Sequence, residues 1–181
     1  MFDEDKDLIA RCLNREVAAE YQIYRRFAAK MFGVCLRYCG NDAEAEEVLQ
    51  SGFIRLFANL QQFRFDGTLD GWVLRIFITT AINHRRDNLR YSQVVELSDE
   101  LEDSGGNDAL SRLSVKELLT MIQQLPEGSR TVFNMYVIEN YKHNEIAAIL
   151  GISEGTSKSQ LNQARATIRQ MLKNTEKKRS L

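Results

Sequence analysis

The chain of 181 residues is long enough for one large domain or two small ones, and its 44% hydrophobic content is typical of a globular protein with a core. No window is apolar over the length of a membrane span, and the acidic N-terminus is unlike a signal peptide, which argues against membrane insertion and predicts a cytoplasmic protein. The net charge of −1 hides an uneven distribution. Residues 1–92 carry 13 basic and 13 acidic side chains. Residues 93–112 carry one basic and six acidic side chains, and residues 113–181 carry ten basic and six acidic side chains.

The composition and the hydrophobic periodicity predict an all-α fold. One proline and ten glycines leave room for long helices, and no alternating run is typical of a strand. Apolar residues at helical spacing predict helices over residues 7–13, 16–39 and 43–60. Gly40 ends the second helix, and Asn41 or Asp42 caps the third.

The three cysteines are interpreted as buried free thiols. Cys12, Cys35 and Cys39 are odd in number and occupy apolar helical positions. Cys35 and Cys39 are one turn apart, so a metal site is the alternative. No CxxC occurs and both histidines are distant in sequence, so we expect no metal and no cofactor.

A loop and the helix after it predict a surface for nucleic acid. The loop, residues 61–71, holds two glycines, two aromatic rings and Arg64. The helix, predicted over residues 72–90, begins at Trp72 and places five polar residues without an acid on one narrow arc: Arg75, Thr79, Asn83, Arg86 and Arg90. Arginines on a rigid helix beside a stacking ring suit a nucleic-acid backbone and unpaired bases. An ordinary solvated face is the alternative.

The next segments predict a linker followed by two helices. Residues 93–112 are acidic and contain a Gly-Gly pair, which favours a flexible linker. A helix over residues 113–124 is expected to turn four apolar side chains inward: Val115, Leu118, Leu119 and Ile122. Pro126 is expected at the first position of the following helix, which Asn140 ends in the left-handed conformation.

Residues 144–169 predict a helix-turn-helix. Gly151 ends the first helix in the left-handed region, and Ser153 caps the second. The outer face of the second helix carries Ser159, Asn162, Gln163, Ala166 and Gln170, flanked by Lys158, Arg165 and Arg169. Amide side chains suit adenine, and arginine or lysine suits guanine or phosphate, so duplex DNA is favoured over a plain amphipathic helix.

Three strings in this order carry a family resemblance: DAEAEEVLQSGFIRLF, DGTLDGWVLRIF and LPEGSRTVFNMYVIENYKHNEIAAILGISEGTSKSQL. The chain resembles bacterial sigma factors of the extracytoplasmic-function (ECF) class of the sigma-70 family, which have two modules, regions two and four, joined by a linker. The resemblance implies two helical domains, residues 1–92 (region two) and 113–175 (region four), with the acidic linker at 93–112 and a basic tail at 176–181.

The resemblance also implies partners and contact residues. Core RNA polymerase would dock on Glu47, Gln50 and Phe53. The minus-ten element of promoter DNA would be melted and read by Arg64, Trp72, Arg75, Thr79, Asn83, Arg86 and Arg90. The minus-thirty-five duplex would be read by Thr156, Lys158, Ser159, Gln160, Asn162, Gln163 and Arg165. An anti-sigma factor is a further expected partner.

Four positions depart from the family pattern. Thr79 stands where asparagine is usual, Gln160 and Gln163 stand where arginines are frequent, and Ser157 stands where valine is usual. The two glutamines are expected to weaken phosphate attraction and to shift preference from guanine toward adenine.

Two other functional classes are the alternatives to a sigma factor. A helix-turn-helix regulator that binds duplex DNA without polymerase is the alternative, but such a protein has no need of the face from Trp72 to Arg90. An enzyme is not expected, because the sequence holds no phosphate-cradling glycine loop, no metal cluster and no nucleophile with a partnered base.

Overall fold

A computed structural model describes the backbone of residues 2–92 and 110–179, and the side chains of residues 4–86 and 115–175. These parts of the chain consist of helices and the turns between them, so the predicted all-α class is confirmed. The predicted linker lies almost wholly outside the described residues, as do the side chains of the predicted basic tail. The chain divides into two compact units, residues 1–96 and 97–181.

The helices of the described residues run as follows: α1 Phe2–Leu13, α2 Val17–Tyr38, α3 Asp42–Asn59, α4 Leu69–Ser92, α5 Leu110–Gln123, α6 Glu127–Phe133, α7 His143–Leu150 and α8 Glu154–Arg179. A short 3-10 turn, Leu60–Gln62, follows α3, and a π-helical segment, Asn134–Ile138, continues α6.

Caps explain where several helices begin. The side chain of Asn41 accepts the Glu44 N–H at 2.8 Å, so Asn41, and not Asp42, caps α3. The hydroxyl of Thr68 accepts the Gly71 N–H at 3.1 Å, which starts α4 at Leu69. The loop therefore ends at Thr68 and not at residue 71, as the sequence predicted. The predicted boundary was wrong because it did not include a cap at this threonine.

The first unit packs α2, α3 and α4 around aromatic and aliphatic side chains. Phe27, Met31, Leu56 and Phe77 are fully buried. A Cβ added at Gly52 would collide with the ring of Phe77, so α3 and α4 approach as closely as a residue without a side chain permits.

The three thiols belong to this packing. Cys12, Cys35 and Cys39 are buried thiols, as predicted. Burial raises the pKa of the Cys12 thiol to about 11 and that of Cys35 to about 12, so both are protonated at neutral pH.

In the second unit, α5 differs from its prediction. It begins at Leu110 and not at residue 113, and Val115 (69% exposed) and Leu118 (49% exposed) face outward, so the prediction that they point inward was wrong. Ile122 is buried, as predicted, and the buried side is completed by Met121 and by Leu125, which lies just after the helix. Packing against α8 explains the difference, because Leu125 forms a cluster with Ala164 and Ile168 of α8. The buried residues therefore lie at the C-terminal end of α5.

The predicted corners around the helix-turn-helix are observed. Asn140 has φ 63°, and Gly151 has φ 67° and donates its N–H to the Ala147 carbonyl at 2.9 Å. The Ser153 hydroxyl accepts the Thr156 N–H at 3.0 Å and so caps α8. Pro126 lies one position earlier than predicted. Its ψ is extended, so it precedes Glu127, the first helical residue of α6, and is not itself the first residue of the helix.

Candidate nucleic-acid interfaces

A cleft of about 380 Å³ lies between the end of α3 and the start of α4. This volume falls within the roughly 300–1,000 Å³ of ordinary ligand sites. Its walls combine an aromatic surface with charged and polar groups from the following residues: Gln62, Phe63, Arg64, Asp66, Gly67, Thr68, Gly71, Trp72 and Arg75. Three predicted minus-ten residues, Arg64, Trp72 and Arg75, are thus brought together at one opening.

An aromatic cluster fixes the shape of this cleft. The ring of the buried Phe63 lies 4.7 Å from that of Phe65 and 5.3 Å from that of Trp72, between ring centroids. Phe65 has φ 60°, a left-handed conformation that is unusual for a bulky residue and costs about 1–3 kcal/mol. Strain of this kind persists only where surrounding contacts impose it, so the cluster holds the loop in one conformation. The sequence indicated the aromatic rings but not the strain.

The polar arc of α4 continues from the cleft. Arg75, Thr79 and Arg86 are exposed and Asn83 is half-buried, while the side chain of Arg90 lies outside the described residues. The Thr79 hydroxyl donates to the Arg75 carbonyl at 2.8 Å, so its oxygen remains able to accept a hydrogen bond. Arg85 has a different role, because its guanidinium donates to the Tyr38 carbonyl at 2.9 Å and lies 3.9 Å from Glu44.

An ion-pair cluster holds the first turn of α4 against α2. The carboxylate of Asp70 accepts from Arg26 at 2.9 Å and from Lys30 at 3.0 Å, and Arg26 also binds Asp5 of α1. Burial raises the pKa of Asp70, but the hydrogen bonds from Lys30 and Arg26 outweigh it and hold that pKa below its usual value. Asp70 precedes Gly71 and Trp72, so this cluster positions one wall of the cleft. No local sequence pattern indicates this cluster, because its members come from three different helices.

One side of α3 offers a second kind of surface. Glu47 and Gln50 are exposed, and Glu47 lies 3.8 Å from the imidazole of His84 on α4. Phe53 is only 7% exposed, and its ring packs against Tyr24 at 4.8 Å and Phe77 at 5.1 Å. The structure therefore places Phe53 in the core rather than at a contact surface. Ile54, which is 70% exposed, lies one helical turn after Gln50 and was missed.

The outer face of α8 presents most of the predicted duplex-reading residues. Six of the seven are exposed at the surface: Thr156, Lys158, Ser159, Asn162, Gln163 and Arg165. The inner face buries Ser157, Leu161, Ala164 and Ile168. Gln160 differs from the prediction, because it is half-buried with its amide against Gly128 of α6 and its Oε1 enclosed. A side chain in this position is turned away from the outer face.

A polar contact links the two helices of the helix-turn-helix. Ser157 is completely buried, and its Oγ lies 2.8 Å from Nδ1 of His143 at the start of α7. The imidazole stacks on the ring of Tyr136 with 4.4 Å between centroids, and the guanidinium of Arg165 lies 5.8 Å from that ring. The family pattern marks Ser157 as a departure from the usual valine, but it does not indicate His143 as its partner.

Comparison with known proteins identifies both units. The family model described as Sigma-70 region 2 matches residues 23–91, and the model described as Sigma-70, region 4 matches residues 115–168. The chain belongs to the sigma-70 family. Its place is in the ECF class, to which several of its relatives belong.

The relatives of this sigma factor match along most of its length. The RNA polymerase sigma-H factor of Pseudomonas aeruginosa is 27% identical over 178 residues, with 92% of each chain covered. The ECF RNA polymerase sigma factor SigW of Bacillus subtilis is 28% identical, with 80% of this chain and 83% of the relative covered. In fold, the chain is similar to the sigma factor RpoE of Bartonella quintana, solved in complex with the anti-sigma factor NepR. That likeness has a TM-score of 0.60 at 18% identity and covers 84% of this chain and 96% of the other.

The surfaces of the sigma factor fall inside the matched regions. The cleft, the α4 arc and the exposed side of α3 lie within region two, and the outer face of α8 lies within region four up to residue 168. Among the described residues, no group of three or more His, Cys, Asp and Glu side chains is arranged to hold a metal ion. No helix among residues 2–92 and 110–179 combines the length and the apolarity needed to cross a bilayer.

Proposed function

We propose that the chain binds core RNA polymerase and directs it to promoters, where it opens and reads DNA. In this proposal residues 1–92 act as region two, residues 113–175 as region four, residues 93–112 as the connecting linker and residues 176–181 as a basic tail. The protein works in the cytoplasm beside the polymerase, which performs the chemistry, and it has no catalytic role of its own.

The observation that carries the proposal is the pairing of two different surfaces in one chain. The first unit has an aromatic-lined cleft that opens at the start of an arginine-bearing helix face. The second has a capped helix with an exposed polar face behind a left-handed glycine corner. A ring-lined cleft suits unstacked bases, and a capped helix suits the major groove. A regulator that binds only duplex DNA has no use for the first surface.

In region two, the minus-ten strand would lie along the α4 arc. Arg75, Arg86 and Arg90 would neutralise phosphates, and Thr79 and Asn83 would contact bases. One base taken out of the stack would enter the cleft between Arg64 and Trp72, where rings offer a stacking surface. The stiffness of the aromatic cluster supports this role, because a preformed cleft loses little freedom when it receives a base.

Core polymerase would dock on the exposed side of α3, through Glu47 and Gln50 with Ile54 beside them. The exposed Ile54 would supply the apolar centre of such a contact, with the polar residues at its rim. Phe53 would support this surface from beneath, since its ring is buried under the helix. An anti-sigma factor that covers these surfaces is a further proposed partner, because the Bartonella quintana relative in fold was solved with one.

Run-off transcription with purified core polymerase tests the proposal, with Trp72→Ala as the informative variant. Trp72→Ala is expected to reduce open-complex formation, measured by permanganate reactivity of unpaired thymines, more than it reduces binding to closed promoter fragments. Phe57→Ala, which changes a half-buried aromatic residue on α3, controls for loss of stability in the same unit. Equal losses in both assays would contradict a strand-opening role, and no transcription with the wild-type protein would contradict the function as a whole.

A further inference from the structure

Ser129 of α6 holds the side chain of Gln163 on the recognition helix. The serine is 2% exposed, and its Oγ donates a hydrogen bond to Oε1 of Gln163 at 3.1 Å. Gln163 itself is exposed at the edge of the outer face of α8. A buried hydroxyl strongly favours keeping such a partner, since leaving it unpaired costs about 1–3 kcal/mol. In the observed hydrogen bond Oε1 is the end of the glutamine amide turned toward α6, and Nε2 is the end turned away from it.

The consequence is a defined polarity at the outer face. A glutamine amide has one acceptor, Oε1, and one NH2 group that only donates. Because Oε1 is turned toward Ser129 on α6, the group left to face the DNA is the Nε2 donor. Gln160 supplies no acceptor in its place, because its own Oε1 is enclosed against α6.

This polarity selects among base edges in the major groove. Bidentate reading of adenine needs a donor for N7 and an acceptor for the N6 amino group, whereas guanine presents two acceptors, N7 and O6. Cytosine presents an amino donor, which opposes the outward NH2 group. A freely rotating glutamine would favour adenine, but a glutamine whose oxygen is turned away from the DNA favours guanine.

We infer that Ser129 is a positioning residue that makes Gln163 a reader of guanine in the minus-thirty-five duplex. The inference rests on the proposed function, in which α8 enters the major groove. It replaces the sequence-based expectation of adenine at this position, which assumed that both ends of the amide were available. Ser129 touches no base and acts only through the orientation of Gln163.

The test is a competition experiment with the holoenzyme and promoter fragments that carry each base pair in turn at every minus-thirty-five position. Gln163→Ala locates the base pair that Gln163 reads, because preference at that position is lost in this variant. At that position the wild-type holoenzyme is expected to prefer guanine over adenine about fivefold or more. Ser129→Ala frees the amide to rotate, so the guanine-to-adenine ratio is expected to fall to about one or to invert.

Two variants separate orientation from general damage. Ser129→Thr keeps the hydroxyl and is expected to keep the ratio. Thr120→Ala removes a hydroxyl on α5 that only donates to the Lys116 carbonyl, and is expected to change nothing. A serine needed only for stability would lower affinity for all four base pairs alike and leave the ratio unchanged.

The outcomes distinguish the inference from the proposed function. If Gln163→Ala alters preference at no position, α8 does not read DNA through this residue and the proposed interface is wrong there. If Gln163→Ala abolishes base preference at a position where the wild type prefers adenine, the inference about Ser129 is overturned while the interface stands. The same conclusion follows if Ser129→Ala leaves the guanine-to-adenine ratio unchanged. The wild-type preference is measured without any substitution, so a Ser129 variant that unfolds does not prevent a decision.

Discussion

Oγ of Ser157 lies 2.8 Å from Nδ1 of His143, and this pair joins the two helices of the helix-turn-helix inside their shared core. Ser157 is fully buried, so its hydroxyl has no water to replace the imidazole. The family resemblance makes valine usual at this position, where packing alone would join the helices. In this chain a hydrogen bond performs that function, and its partner is itself stacked on Tyr136.

The first prediction concerns this pair. His143→Phe should destabilise the second unit by about 1–3 kcal/mol, because the Ser157 hydroxyl is left buried without a partner. The double variant His143→Phe, Ser157→Val should recover much of that loss, since both polar groups are then gone. Urea unfolding followed by circular dichroism measures the effect. Additive losses in the double variant would show that the two groups do not interact.

The second prediction concerns pH and Asp70. Its pKa is lowered in the folded state, so the stabilisation it provides is complete above the unfolded value of about 3.9 and is lost as the pH falls through the folded value. Asp70→Asn should lower stability at pH 7 by about 1 kcal/mol at most, because the ion pairs are partly exposed. The difference from the wild type should shrink below about pH 4. A difference that stays constant down to pH 2 would contradict the assignment. Asp66→Asn, in the exposed loop nearby, is the control.

The third prediction concerns the duplex interface. Lys158 is exposed on α8 and only 3.7 Å from Glu154, one turn away. Lys158→Ala should weaken binding to the minus-thirty-five duplex and reduce the slope of log K against log salt by about one unit. Lys116→Ala, an exposed lysine on α5, should leave the slope as it is. An unchanged slope in Lys158→Ala would remove this residue from the interface.

The fourth prediction concerns polymerase docking. Gln50→Ala and Ile54→Glu should each raise the Kd for core polymerase, Ile54→Glu by about fivefold or more, because an exposed apolar contact is replaced by a charge. Helical content and melting of the free protein should be unchanged in both variants, since both positions are at the surface. Gln22→Ala, an exposed glutamine on α2, is the matched control. Normal affinity in both variants would contradict docking on this side of α3.

Much of this architecture could be predicted from sequence because the decisive signals are local. A glycine such as Gly151 and a serine such as Ser153 act on their own helix ends, so the corner of the helix-turn-helix was correctly located. The helical class, the buried thiols and the family follow from periodicity and from motifs that extend over neighbouring residues.

The parts that could not be predicted depend on contacts between helices. Periodicity showed that α5 is amphipathic, but its packing on α8 decides that Leu125 is inside and Val115 outside. The family resemblance implies that Phe53 contacts the polymerase, although three aromatic neighbours enclose its ring. Likewise, the orientation of Gln163 depends on Ser129, which lies 34 positions earlier in the chain, and no local pattern connects the two.

The close approach of Gly52 to Phe77 gives region two a mechanical property. Because Gly52 has no side chain, the ring of Phe77 packs directly against the backbone of α3, and the imidazole of His84 lies 3.8 Å from Glu47 in the same interface. A partner that binds α3 would therefore move α3 and α4 together. The position at which the polymerase holds this module would then decide where strand separation starts.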